Sequence, residues 1–172
     1  NMFTCNVGVF ALDPFREHSE GRSRVLFRGM DPAYQGIFFS EFYPRHPFVH
    51  WVNSMRTNWK TTATALNDYV NNPEYINSQC YQEIQRPLQM HHNLAITLGN
   101  KERPLGIVGL FRPPSRPYDA DDRLRARLIA PVLSSKIQQF SADHSLSASR
   151  WLLEAIEPMQ GNIYKWPWQE YT

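Results

Sequence analysis

The hydrophobic positions of this chain change period several times, and each change marks an element. From Phe3 to Leu12 they alternate, with Phe3, Cys5, Val7 and Val9 on one face and Thr4, Asn6, Gly8 and Phe10 on the other, which predicts a strand. Asp13-Pro14 ends it, the charged segment from Arg16 to Arg24 reads as an exposed loop, and Val25-Leu26-Phe27 as a short second strand closing at Gly29. Asp31-Pro32 then pairs an N-cap carboxylate with a proline at the first helical position, and Tyr34, Ile37, Phe38 and Phe42 follow at helical spacing as far as Pro44. A second short helix is predicted from Pro47, where Phe48, Trp51, Val52 and Met55 fall on one helical face. Asn58 to Thr64, rich in threonine, predicts an edge strand. Ala65 to Leu88 is helical again, broken near Asn71-Asn72-Pro73, with Tyr81, Ile84 and Leu88 on a common face.

The stretch from Met90 to Phe140 is the most regular. Leu94, Ile96 and Leu98 alternate with Asn93, Ala95 and Thr97, and after the turn from Gly99 to Pro104 the residues Leu105, Ile107 and Phe111 share one face, predicting two paired strands. Gly106 and Gly109 within the second strand mark a bulge or a close approach, most commonly by a packed helix. Arg112-Pro113-Pro114 ends the ladder, and Asp119-Ala120-Asp121-Asp122 offers carboxylates to the unpaired N–H groups of a starting helix. In that helix Leu124, Leu128 and Val132 form one apolar row and Ile129, Leu133, Ile137 and Phe140 another, a wider arc than one sheet contact requires. Pro131 inside it removes one intrahelical bond. A polar joint from Ser141 to Ser147 precedes a predicted linker helix from Ser149 to Met159, and the aromatic end, Tyr164 to Tyr171, follows no pattern.

At 172 residues and 42% hydrophobic, one domain with an extension is expected, here residues 1–140 and 141–172. A net charge of +2 gives little of the electrostatic footprint of a nucleic-acid binder, and Arg123, Arg125 and Arg127 scatter around their helix instead of forming a stripe. No apolar run reaches the ~20 residues of a membrane span and no signal peptide heads the chain, so a cytoplasmic protein without membrane contact is expected. A chain opening on Asn1-Met2 reads as cut from a longer protein or as carrying an added residue.

The candidate chemistry is sparse. There is no phosphate-binding glycine loop, GxSxG elbow, HExxH or CxxC, so no catalytic residue and no enzyme is expected. His46 and His50 have a metal-compatible spacing, but Pro47 lies between them and no third ligand is near, so no metal and no cofactor are expected. His91 and His92 enter a strand, which would send their rings to opposite faces, so at most one can point into a pocket. Cys5 and Cys80, far apart and outside any zinc or redox spacing, read as structural thiols. The aromatic set Phe38, Phe39, Phe42, Tyr43, Phe48, Trp51 and Trp59 is either core, its commoner role, or the lining of a pocket.

Several of these segments together resemble a known family. Cys80-Tyr81-Gln82-Glu83 leading to Arg86-Pro87-Leu88, the run from Pro104 to Arg112, Pro117-Tyr118-Asp119 and the run from Leu128 to Leu133 resemble the GAF-like sensor domain found N-terminal in many bacterial LuxR-type regulators. The likeness extends more loosely back to Phe3, and His46-Pro47 stands where that family often has Asp-Pro. The resemblance implies an α+β, GAF/PAS-like antiparallel sheet flanked by helices, with a C-terminal linker helix. It implies a pocket between sheet and helices for a small-molecule ligand, with Phe38, Phe42, His46, Trp51, Trp59, Tyr81 and His92 as ligand-binding candidates. A homodimer, its interface joined by the wide apolar arc of the long helix, is also implied. Because no basic recognition helix follows, direct nucleic-acid contact is expected from a separate DNA-binding part, not from this chain. The alternatives are a dimerisation module with a self-filled pocket and, more remotely, a GAF-type thiol-dependent reductase.

Overall fold

The structure, a computed structural model, describes residues 7–12, 25–37, 47–66 and 72–143. Phe38, Phe42 and His46, and the predicted linker helix at 149–159, lie outside the described residues.

Five antiparallel strands form one sheet: β1 (Val7–Leu12), β2 (Val25–Arg28), β3 (Lys60–Ala65), β4 (His92–Asn100) and β5 (Pro104–Arg112). Their spatial order is β2-β1-β5-β4-β3, which makes β3 an edge strand, as its threonines suggest, and buries the two best-patterned strands at the centre. The helices are α1 (Pro32–Ile37), α2 (Pro47–Ser54), the single turn α3 (Pro73–Ile76) and the long α4 (Ala120–Asp143). Between α3 and β4 lies a π-helical turn, Tyr81–Gln85, in which the Arg86 N–H reaches back five residues to the Tyr81 carbonyl at 2.8 Å. The architecture is the α+β one expected, an antiparallel sheet with flanking helices.

The start signals act as read. The Asp31 carboxylate accepts from the Ala33 N–H at 2.8 Å, and the Asn72 side chain accepts from the Glu74 N–H ahead of Pro73. At α4 the cap is reciprocal: Asp119 Oδ1 accepts from the Asp122 N–H at 2.8 Å, while Asp122 Oδ2 lies 3.4 Å from the Asp119 N–H. Pro131 is accommodated within a helix that continues to Asp143.

The two faces of the sheet are covered differently. Against α4 lies one continuous cluster, with Phe10, Ala63, Leu94, Ile96, Leu98, Val108 and Leu110 meeting Ala126, Ala130, Leu133 and Ile137. Leu105 belongs here too, not with Ile107 and Phe111 as strict alternation implies, and the ladder shifts register at Leu98/Gly99, where Gly99 takes φ 96°. Gly106 is required by a neighbouring strand: a methyl group on it would stand 2.7 Å from the Ala11 carbonyl and 3.1 Å from the Phe10 ring. The opposite face is also buried. Asn93, Ala95 and Thr97, whose alternation looks like that of a solvent-facing row, are all buried, with Thr97 only 1% exposed. Its hydroxyl donates to the Lys60 carbonyl at 2.6 Å, which is how a threonine is tolerated there.

Candidate functional site

On that second face the apolar side chains separate into two clusters. One gathers Val7, Phe27, Met30, Cys80, Ile84, Met90 and Phe111. The other gathers Ala11, Val52, Trp59, Leu66, Ala95 and Ile107, with Trp51 and Met55 half-buried against it. Half-buried Val25 packs against both. The seam between them crosses the sheet at Gly109, whose Cα partners are Val9 and Ala95, and at Asn93, the partner of Phe111. The Phe111 ring leans over Gly109, 3.3 Å from where a methyl group would stand, with the Asn93 amide nitrogen at 3.8 Å.

Of the predicted site residues, Trp51 and Trp59 belong to the second of these clusters, and Tyr81 lies in the π-turn between Cys80 and Ile84 of the first. Trp59 is 2% exposed, and its indole N–H donates to the Leu98 carbonyl at 2.8 Å. That acceptor is available because β3 is irregular between Lys60 and Thr62, so Leu98 has no partner residue there. Trp51, from α2, packs beside the same cluster. At the other end Tyr81, from the π-turn, is buried, and its hydroxyl meets Nδ1 of His91 at 2.5 Å. Tyr75 packs on Tyr81 with ring centroids 5.4 Å apart and donates its hydroxyl to fully buried Gln85. A π-turn adds a residue to the turn; here it places Tyr81, Ile84 and Gln85 all inward.

His91 and His92 depart from the expected alternation. Their rings meet edge to face with centroids 4.8 Å apart, because His91 precedes β4 and is not bound to its pleat. His92 directs Nε2 to the Pro114 carbonyl at 3.1 Å; a carbonyl only accepts, so that bond requires the proton on Nε2. Burial, and then the neighbouring His92, push His91 below the usual histidine range. Burial pushes the Tyr81 phenol up, against a smaller opposing effect of the Arg86 charge. The Tyr81–His91 pair is therefore an uncharged hydrogen-bonded dyad at neutral pH.

The segments that carry the family resemblance come together elsewhere. Arg112, at the end of β5, grips Asp122 in α4 with two bonds, 2.5 Å to Oδ2 and 3.1 Å to Oδ1. Its guanidinium lies 4.0 Å over the Tyr118 ring. Burial acts to raise the Asp122 carboxyl, but the Arg112 hydrogen bonds and charge, the Asp119 N–H and Arg125 outweigh it and hold it below the usual range. This cluster fastens sheet to helix on the α4 side. A known regulator has this type of fold. The solved structure of an N-acylhomoserine lactone dependent LuxR-family transcription factor, CepR2, from Burkholderia cenocepacia superposes with a TM-score of 0.50 at 14% identity, covering 84% of this chain and 77% of that one. At this identity the likeness is one of fold. No protein-family model and no curated protein sequence matches the chain.

Sequence reasoning passed over Asn93, Tyr75 and Gln85, and of the His91–His92 pair it chose His92. The first was hidden by its place in an alternating strand that looked solvated on one side; the signal was that Ala95, an apolar residue, shares its row. Among the described residues no group of three His, Cys, Asp or Glu is placed to hold a metal ion, and no helix is long and apolar enough to cross a membrane.

Proposed function

We propose that the chain is the small-molecule-sensing input domain of a bacterial LuxR-type transcriptional regulator, GAF-like over residues 1–140, with 141–172 leading toward a DNA-binding part. The observation that carries this reading is the second face of the sheet: two apolar clusters meet at a seam lined by small residues and by Asn93, in a fold similar to that of a ligand-dependent regulator. A ligand seated there favours the conformation in which the helices bind it best, and the bias passes to the output domain. The same reading makes the protein cytoplasmic and non-enzymatic, without direct DNA contact. Thermal denaturation in the presence of a broad metabolite library tests it. At least one compound should raise the midpoint in a concentration-dependent way, as mass action requires of any native-state ligand. Acyl lactones belong in the library, since the neighbouring fold is named as dependent on one. No shift with any compound at saturating concentration would remove the sensor reading.

A homodimer is favoured by one observation. Leu124, Leu128 and Val132 on α4 are 56%, 68% and 59% exposed, a contiguous apolar row on the side turned away from the sheet. We propose that this row pairs with its copy. Leu128→Glu should then turn a dimer into a monomer in analytical ultracentrifugation, while unchanged mass would exclude the row as the interface.

A thiol-dependent reductase finds no support in Cys80, which is buried in the first cluster with its thiol pushed up to about 12 by desolvation. Native protein should leave Cys80 unlabelled by an aromatic disulfide reagent at pH 8 over minutes, and the unfolded chain should label it at once. Rapid labelling of Cys80 in the native state, identified by peptide mass, would reopen the enzyme reading.

A further inference from the structure

Among the described residues, Asn93 is the polar group on the second face that the fold leaves incomplete. It is 7% exposed, and its carboxamide oxygen has no hydrogen-bond partner among the described residues. On the main chain the Asn93 carbonyl accepts from the Leu66 N–H at 2.9 Å, and the residue stands opposite Phe111 in the β4–β5 register. Those two neighbours belong to different clusters, Leu66 to one and Phe111 to the other. The side chain therefore stands in the seam itself. Its amide nitrogen lies 3.8 Å from where a methyl group on Gly109 would be, so it reaches along the sheet over the glycine. An orphaned buried acceptor costs its full desolvation, and native proteins retain such groups chiefly where something else completes them.

The surroundings define what would complete it. Flanking side chains are apolar: Phe111, Ala95, Leu66 and, across Gly109, Val9. Thr97, in the same row of β4, is committed to the Lys60 carbonyl.

We propose that Asn93 is the ligand's polar anchor, its carboxamide oxygen accepting a hydrogen bond from an N–H or O–H of a small, otherwise apolar molecule lying in the seam between the two clusters. The proposal rests on the sensor reading and adds to it the chemical class of the ligand and the residue that selects it. The space over Gly109 is taken by the protein's own groups, the Phe111 ring 3.3 Å and the Asn93 amide nitrogen 3.8 Å from where a methyl group would stand, so the apolar body lies against Phe111, Ala95 and Leu66 and not on the glycine. Discrimination follows from the cost of leaving Asn93 unpaired: an analogue of equal shape without the donor loses the bond and still buries the acceptor.

The test uses matched pairs differing only in the donor, indole against N-methylindole and hexanamide against N,N-dimethylhexanamide, titrated by ligand-observed NMR. Wild type should bind the N–H member of a pair about tenfold more tightly, and Asn93→Leu should bring the two members together. In the absence of compound, Asn93→Leu should melt no lower than wild type, because it removes an unsatisfied group and keeps the volume filled. Equal affinity within both pairs, a preference that survives Asn93→Leu, or no binding of any of the four compounds would overturn the proposal. All three leave the sensor reading standing if the metabolite library has given a shift. A clear loss of melting temperature in Asn93→Leu would also overturn it, since the carboxamide would then be paired in the free protein. If Asn93→Leu does not fold, Asn93→Val is put through the same two measurements.

Discussion

Replacing Asp122 by Asn should cost about 3–5 kcal/mol of folding stability in urea denaturation, among the largest effects of any single substitution in this chain. The substitution leaves the Arg112 guanidinium buried without its counter-charge, and it weakens the reciprocal cap at the start of α4. Side-chain exposure of 8% and 10% for the two partners puts the pair beyond the reach of solvent screening that makes surface ion pairs weak. A control separates the cost of an abandoned charge from the worth of the pair. Arg112→Met combined with Asp122→Leu should recover at least half the loss, since apolar groups of similar volume replace a buried pair with little penalty. A double variant as unstable as the single one would mean that the pair itself is the fastening.

The pair also sets an acid limb. The Asp122 carboxyl is held below its unfolded value, so its contribution is fully present above about pH 4 and is lost as pH falls through the folded value. Wild-type stability should therefore fall on acidification below about pH 4 more steeply than that of Asp122→Asn, which has no such proton to take up. Parallel curves would show that other carboxylates carry the acid sensitivity.

Trp59→Ala should be comparably severe, about 3–5 kcal/mol, because the side chain is 2% exposed and fills the centre of one cluster on the second face. Trp59→Phe divides that effect. It retains most of the buried ring and removes the N–H that satisfies the Leu98 carbonyl, for an expected cost of about 1–3 kcal/mol. Chemical denaturation reads both, and a Trp59→Phe protein indistinguishable from wild type would show that the indole hydrogen bond carries no stability. The polar tip of Trp59 is occupied by the protein's own backbone, which leaves its indole N–H committed to the Leu98 carbonyl.

The parts of this fold that were legible in the sequence are those governed by local rules. Period-2 alternation located β1, β4 and β5, the Asp31-Pro32 and Asp119 caps located helix starts, and the threonines marked β3 as an edge. What was not legible depends on what covers each face. A strand reading Leu-Ala-Ile-Thr-Leu alternates in the same way whether its second row meets water or helices, and only the packing of Trp59, Leu66 and Ile107 shows Ala95 to be core. Local pattern likewise cannot carry a π-turn, which needs tertiary contacts to hold it. The sequence read Tyr81, Ile84 and Leu88 as one α-helical face, whereas the chain widens there to turn Gln85 inward as well. The family resemblance had its own bias. Arg112, Pro117, Tyr118 and Asp119 drew attention because they recur as a pattern, and they prove to be the fastening between β5 and α4 instead of the seam. Of the candidate site residues among those described, Trp59 and Trp51 belong to one of the two clusters, Tyr81 is bonded to His91, and His92 turns to the Pro114 carbonyl.

Phe111 and Arg112 are consecutive residues with opposite allegiances. One closes the seam on the second face, and the other holds the first turn of α4 on the opposite face. A strand is stiff along its length, and neighbouring side chains on it point to opposite sides. A slide or tilt of β5 that makes room beside Phe111 is therefore also a pull on Asp122, with no residue in between to absorb it. In mechanical terms the end of β5 is a crossbar through the sheet: what moves it on one side moves the root of the long helix on the other.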